Sequence, residues 1–130
     1  MKAWTELENN PNITLNETSY SKYYINHGVK IEMFNDGRIE VKNTMTNSDH
    51  YENVPYEIFV LFDTVGFDHG AFAMCSHIFK RRADKIMYNI DLAERDERYD
   101  AADRLRESYH KVINKHYDYE ERISRLSPYL

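Results

Sequence analysis

Val29-Lys30-Ile31-Glu32-Met33-Phe34, then Asn35-Asp36-Gly37, then Arg38-Ile39-Glu40-Val41-Lys42 is the stretch that decides the fold. In the first run Val29, Ile31 and Met33 alternate with Lys30 and Glu32. In the second, Ile39 and Val41 alternate with charged neighbours. A period of two marks a strand with one dry face and one wet face. Asn35-Asp36-Gly37 links the two, with Gly37 where a tight hairpin needs positive φ. Upstream, Tyr20 to Ile25 reads as a further strand, joined to Val29 through Asn26-His27-Gly28. The result is a three-stranded antiparallel β-meander over residues 20–43. Residues 1–19 are polar and irregular, with a turn at Asn9-Asn10-Pro11-Asn12, and read as a loose N-terminal arm anchored by Trp4.

Downstream the period changes. Residues 43–53 are polar and read as a loop. Val54-Pro55-Tyr56-Glu57-Ile58-Phe59-Val60-Leu61-Phe62 reads as a short helix to about Val65, because Pro55 suits a helix's first turn. A buried strand is the other reading of so short an apolar run. From Ala71 there is no Gly, and no Pro until Pro128. Phe72, Cys75, Phe79, Ala83, Ile86, Ile90 and Ala93 recur in steps of three and four, an apolar helical stripe. It breaks at Glu94-Arg95-Asp96-Glu97-Arg98-Tyr99, where the expected core positions are charged. A second stripe then runs through Ala102, Leu105, Tyr109, Val112, His116, Tyr119, Ile123 and Leu126, a heptad seam over 102–126 widened by Ala101 and Ile113. Residues 94–99 are either the tip of a helical hairpin, with Asp100 capping the second helix, or part of one long bent helix. Compactness favours the hairpin, since a single helix would project roughly 80 Å. The fold class is α+β: the meander, a short helix and two long C-terminal helices in a single domain of 130 residues.

Composition narrows the function. A net charge of −5, from 22 acidic and 17 basic side chains, lacks the basic footprint of generic nucleic-acid binding. The single cysteine, Cys75, forbids an internal disulfide. No apolar run approaches the roughly 20 residues a membrane span needs. With no signal-peptide pattern at the start, the expectation is a cytoplasmic protein, in the host cytoplasm if phage-encoded.

Candidate chemistry is sparse. Arg81, Arg82 and Lys85, with Tyr88 one turn on, form the densest positive cluster. Arg forks and a Tyr face suit an anion, a phosphate or an acidic partner. A solvated helix face, with a salt bridge to Asp84, is the plainer account. Glu107-x-x-His110 has a spacing found in di-iron bundles, but those need two copies and further acids, and only one copy is present. His116 stands at a core-type seam position, where one satisfied hydrogen bond is the ordinary role and pH sensing the alternative. Cys75 lies on the apolar stripe without an identifiable base, as a small buried hydrophobe does. No glycine phosphate loop, zinc spacing or nucleophile elbow is present. No catalytic residue, metal or cofactor is therefore expected.

The expected function is non-enzymatic binding, through protein–protein contact and self-association. Leu105, Tyr109, Val112, His116, Tyr119, Ile123 and Leu126 would make the oligomer interface of a dimer or higher state. Small size and a Tyr- and Asn-rich composition are common among phage and mobile-element accessory or inhibitor proteins, an association only. An alternative is an oligomeric sponge that sequesters a phosphorylated, cyclic-nucleotide-type signal at a protomer boundary. The layout over about residues 20 to 126, a meander followed by two long helices, resembles that of phage anti-Thoeris sponge proteins. That resemblance implies such a ligand, and none of the family's ligand residues is matched by motif. A small enzyme of unknown class is the remaining alternative, since catalytic groups need not adjoin in sequence.

Overall fold

The computed structural model describes residues 1–45 and 54–126. The element order is α1 (Lys2–Asn9), β1 (Asn16–Glu17), β2 (Ser21–Asn26), β3 (Val29–Phe34), β4 (Ile39–Asn43), α2 (Tyr56–Thr64), α3 (Phe67–Arg95) and α4 (Tyr99–Leu126). The fold is α+β. The sheet is antiparallel in the order β1-β2-β3-β4, so it has four strands where the sequence pattern shows three. The extra strand is two residues long, too short to show alternation, and pairs Asn16 with Tyr23 and Glu17 with Lys22. The loop expected at 43–53 falls largely outside the described residues, as does Pro128.

Two compact units divide at Met74 and Cys75, inside α3. The first runs from Met1 to Met74. Its two hairpins follow from their turns. His27 and Gly28 have φ of 54° and 73°, and Asn26 pairs with Val29, so a two-residue loop with both φ positive joins β2 to β3. At the second turn Gly37 has φ 88°, its N–H donates to the Phe34 carbonyl, and Phe34 N–H donates to the Arg38 carbonyl at 2.9 Å. This is a three-residue loop ending in a left-handed glycine. Asp36 adds a side-chain acceptor for Arg38 N–H at 3.0 Å.

Alternation then sorts the faces. Tyr24, Ile31 and Val41 share one face by register, and Val29 and Ile31 are wholly buried. Tyr24 meets Phe67 edge-on at 5.2 Å, and Phe67 meets Phe62 at 5.8 Å. Among the described residues Phe62, on α2, is the largest fully buried side chain. On the opposite face Lys30 pairs with Glu32, and Lys42 and Arg38 both pair with Glu40. Glu32 is buried even so; Ser21 Oγ donates to it at 2.5 Å. The N-terminal segment is not a loose arm throughout. Residues 2–9 form α1, which buries Ala3, Trp4 and Leu7 and packs on α2. Those three recur at one- and three-residue steps, a face too short to register as a stripe in so polar a segment.

The second unit is the pair α3 and α4 from Cys75 onward, a helical hairpin. Its tip is Asp96-Glu97-Arg98. Glu97 is left-handed at φ 58°; its N–H donates to the Glu94 carbonyl, and Arg98 N–H donates to the Ala93 carbonyl at 2.8 Å. That pair of bonds is a Schellman cap, usually closed by glycine and here closed by glutamate. Asp100 lies within the first turn of α4, not at the cap position expected for it, and its charge favours that helix N-terminus. Near the tip Ile90, Ala93 and Ala102 form a buried cluster, flanked by Ile86, Ala101, Leu105 and Tyr109. Small residues at the centre let the two helices approach closely.

Candidate functional site

The positive cluster sits on α3, within the second unit. Arg81, Lys85 and Tyr88 are exposed, whereas Arg82 is half-buried, as its position next to the apolar stripe requires. The Arg82 guanidinium lies 5.5 Å from the centre of the Phe79 ring. From α4, Lys115 Nζ lies 5.4 Å from the same ring. Phe79 stacks on Tyr119 at 5.9 Å with the planes 9° apart, and Arg122 sits 4.8 Å from Tyr119. Three cations from two helices thus gather on one stacked aromatic pair. Each is attracted by the negative face of its ring. Of the four residues read from sequence, Arg82 joins this arrangement. Lys115 was not legible as a member, because it lies far along the chain and meets Phe79 only when the hairpin closes; Arg122 reaches Tyr119 within α4, and closure stacks that ring on Phe79.

Lys80 Nζ donates to Asp84 at 2.5 Å, so Asp84 serves Lys80. That hydrogen bond holds the fully exposed Lys80 ammonium above its ordinary value. Arg122 lies over Tyr119, and Glu121 and Arg125 pair at 2.6 Å. Near the tip Arg106 bridges Asp103, at 2.8 Å, and Glu94.

A second constellation lies nearby. Ser76 on α3 is 4% exposed, and its hydroxyl donates to a Glu120 carboxylate oxygen. His116 Nδ1 is 3.0 Å from Ser76 Oγ and 3.0 Å from the Ser76 carbonyl oxygen. A carbonyl only accepts, so Nδ1 carries its proton toward Ser76. The serine proton points to Glu120 and not to the imidazole. That is not the order of a nucleophilic triad, where the imidazole accepts from the serine. The chemistry is a polar cross-link between α3 and α4, and it gives His116 the satisfied hydrogen bond expected at its position. Ser76 and Glu120 carry no sequence signal; only the antiparallel helix pairing joins residues so distant.

Cys75 is buried, and burial pushes its thiol up; a hydrogen bond with Tyr119 and the charge of Arg122 pull the other way. Burial is also the main cause that raises the Tyr119 hydroxyl, with the neighbouring Cys75 adding to it. A thiol held protonated is a poor nucleophile. Glu107 and His110 are both exposed on α4. Among the described residues no group of three His, Cys, Asp or Glu side chains could hold a metal ion.

The expected interface residues Leu105, Tyr109, Val112, His116, Tyr119, Ile123 and Leu126 all lie on one side of α4 and are half-buried. Several of them meet α3 of the same chain: Leu105 and Tyr109 at the tip cluster, His116 at Ser76, Tyr119 at Phe79. On α4 only Ala102 and Ile113 are fully buried. No helix among the described residues is long and apolar enough to cross a membrane. No protein-family model matches the chain, and no curated protein or solved structure matches it either.

Proposed function

We propose that this is a non-enzymatic binding protein that acts through protein–protein contact and self-associates through the α3–α4 hairpin. One observation carries this. The apolar seam of α4 is wider than α3 covers, so Leu105, Val112, Tyr119, Ile123 and Leu126 stay half-exposed along one line. Apolar surface left in water costs about 25 cal/mol per Å², and covering it drives association. Tyr88, Tyr99 and Tyr117 add exposed aromatic area of the kind enriched at interfaces. An accessory or inhibitor role of phage or mobile-element type, in a cytoplasm, is the setting proposed with it, carried by size and composition alone. Sedimentation or light scattering at tens of micromolar should return twice 15.6 kDa or more. A mass of 15.6 kDa would defeat the proposal.

A second reading, a sponge for a phosphorylated small molecule, is favoured by the gathering of Arg82 and Lys115 over Phe79. Arg81, Lys85 and Tyr88 would extend that grip from the exposed side of α3. Calorimetric titration of ATP into the parent and into Arg81→Ala/Lys85→Ala tests it; equal heats from both, or none from either, count against it.

A further inference from the structure

The hairpin is electrically polarised along its length. Asp91, Glu94, Asp96, Glu97, Asp100 and Asp103 crowd the tip, and acids outnumber bases there even with Arg95, Arg98, Arg104 and Arg106 among them. Part of that charge is spoken for: Arg98 meets Asp96, and Arg106 meets Glu94 and Asp103. Toward the other end the balance reverses. Over residues 80–85 and 111–125 eight bases stand against four acids, Asp84, Asp118, Glu120 and Glu121, of which Asp84 is engaged by Lys80, Glu120 by Ser76 and Glu121 by Arg125.

The apolar seam and the charge gradient lie on the same helices. Leu105, Val112 and Tyr119 are seven residues apart, so they form one stripe along α4, and all three are half-buried. Lys115 lies four residues before Tyr119 and is exposed, so it borders that stripe. Lys85 and Leu92 are likewise seven apart on α3, one exposed and one half-buried.

We infer that the occupant of this seam is a second copy of the chain docked antiparallel, with the acidic tip of each hairpin against the cationic end of the other. The inference rests on the self-association reading and adds the orientation to it. A parallel pairing would set tip against tip and cationic end against cationic end, and like charges brought together are repelled. The antiparallel pairing is a two-fold arrangement in which each tip-to-base contact occurs twice, so every charge pair counts double. It also accounts for a concentrated basic band on a protein of net charge −5. The band complements the protein's own tip.

Charge reversal tests the orientation. Asp96→Lys/Asp100→Lys reverses the tip, and Lys85→Glu/Lys115→Glu reverses the band; all four side chains are exposed, and circular dichroism confirms that each variant folds. Sedimentation equilibrium at low salt should show each variant self-associating more weakly than the parent, by roughly tenfold or more, the equivalent of 1.4 kcal/mol. An equimolar mixture of the two variants should restore association as a heterodimer, and added salt should weaken the parent dimer. A parent that dimerises while both variants match it, or a mixture that fails to restore association, overturns the orientation and leaves self-association standing. A parent that is monomeric throughout overturns both. If a variant does not fold, tip-to-tip cross-linking of the otherwise unaltered Asp96→Cys dimer decides instead: efficient disulfide formation between tips overturns the antiparallel arrangement, and its absence in a proven dimer supports it. Cys75 is buried and gives little background.

Discussion

The sheet unit and the helical hairpin solve the same problem differently. In the first unit the centre is fully closed: Val29, Ile31, Phe62 and Ala71 have no exposure at all, while Ile25 and Tyr56 stay exposed and Ile58 to Leu61 half-buried at its edge. The opposite sheet face is closed with ion pairs, Lys30 to Glu32 at 3.4 Å and Lys42 to Glu40 at 3.3 Å. In the hairpin the fully buried positions near the tip are an isoleucine and two alanines, while larger side chains, Leu105 and Tyr109, ride half-covered beside them. Two helices alone cannot enclose an apolar stripe that wraps past their contact line. The contrast sets large, fully buried side chains in the first unit against a half-covered apolar stripe along α4 in the second.

The hardest blow to that contrast is Phe62→Ala. Removing a wholly buried ring should cost about 3–5 kcal/mol of folding stability, read by denaturant unfolding. Leu105→Ala in the hairpin should cost about 1 kcal/mol, since its side chain is half-covered, but should weaken self-association. Equal stability losses at the two positions would erase the distinction between the units.

Gly37→Val should cost about 1–3 kcal/mol. Beyond its two chain neighbours no atom of the described residues lies within 4 Å of where its Cβ would stand, so the loss is backbone strain at φ 88° and not a clash. A change near zero would remove the hairpin assignment's main support. The matching position in the second unit has the opposite sign. Glu97 holds a left-handed conformation at φ 58° with a side chain attached. Glu97→Gly should relieve about 1 kcal/mol of that strain and raise the thermal midpoint. A lower midpoint would show that the glutamate side chain supports the tip.

The smallest expected effect is in alkali, and it belongs to the hairpin. Burial raises the Cys75 thiol above 9.0 and the Tyr119 hydroxyl above 10.0, and the hydrogen bond to Asp84 raises Lys80 above 10.5. In each case the folded protein keeps its proton after the unfolded chain has lost it. The stability that goes with each is therefore complete below the ordinary value and falls as pH climbs toward the raised one. The thermal midpoint should decline as pH rises past 9.0, with a shallower initial decline in Cys75→Ala. Identical profiles for parent and variant would place the alkaline response elsewhere.

Local chemistry was enough for β2, β3 and β4, though not for the two-residue β1. Alternation at 29–34 and 39–42 and the glycine-bearing turns dictate strands and register, because backbone geometry responds to neighbours a few residues away. The short helix from Tyr56 and the long apolar stripes were legible for the same reason. What stayed ambiguous did so for a physical cause. The break at 94–99 carries no glycine, because Glu97 occupies the position glycine normally takes, so sequence alone left hairpin and bent helix both open. The helix at residues 2–9 is polar overall, and its three buried residues become a face only once α2 offers a surface to pack on.

The sequence by itself determined the α+β class, the two hairpin turns, the heptad seam on α4 and the basic run at 80–85, all of them properties of adjacent residues. The tertiary structure alone decided that Lys115 joins Arg82 at the Phe79 ring from α4, that Phe79 stacks on Tyr119, and that Ser76, His116 and Glu120 form one polar cross-link. Those groupings depend on how far α4 slides along α3. That slide is set by the close packing of Ile90 and Ala93 against Ala102 and by the Schellman turn at Glu97, and a side chain's partners across two helices are known only once it is set.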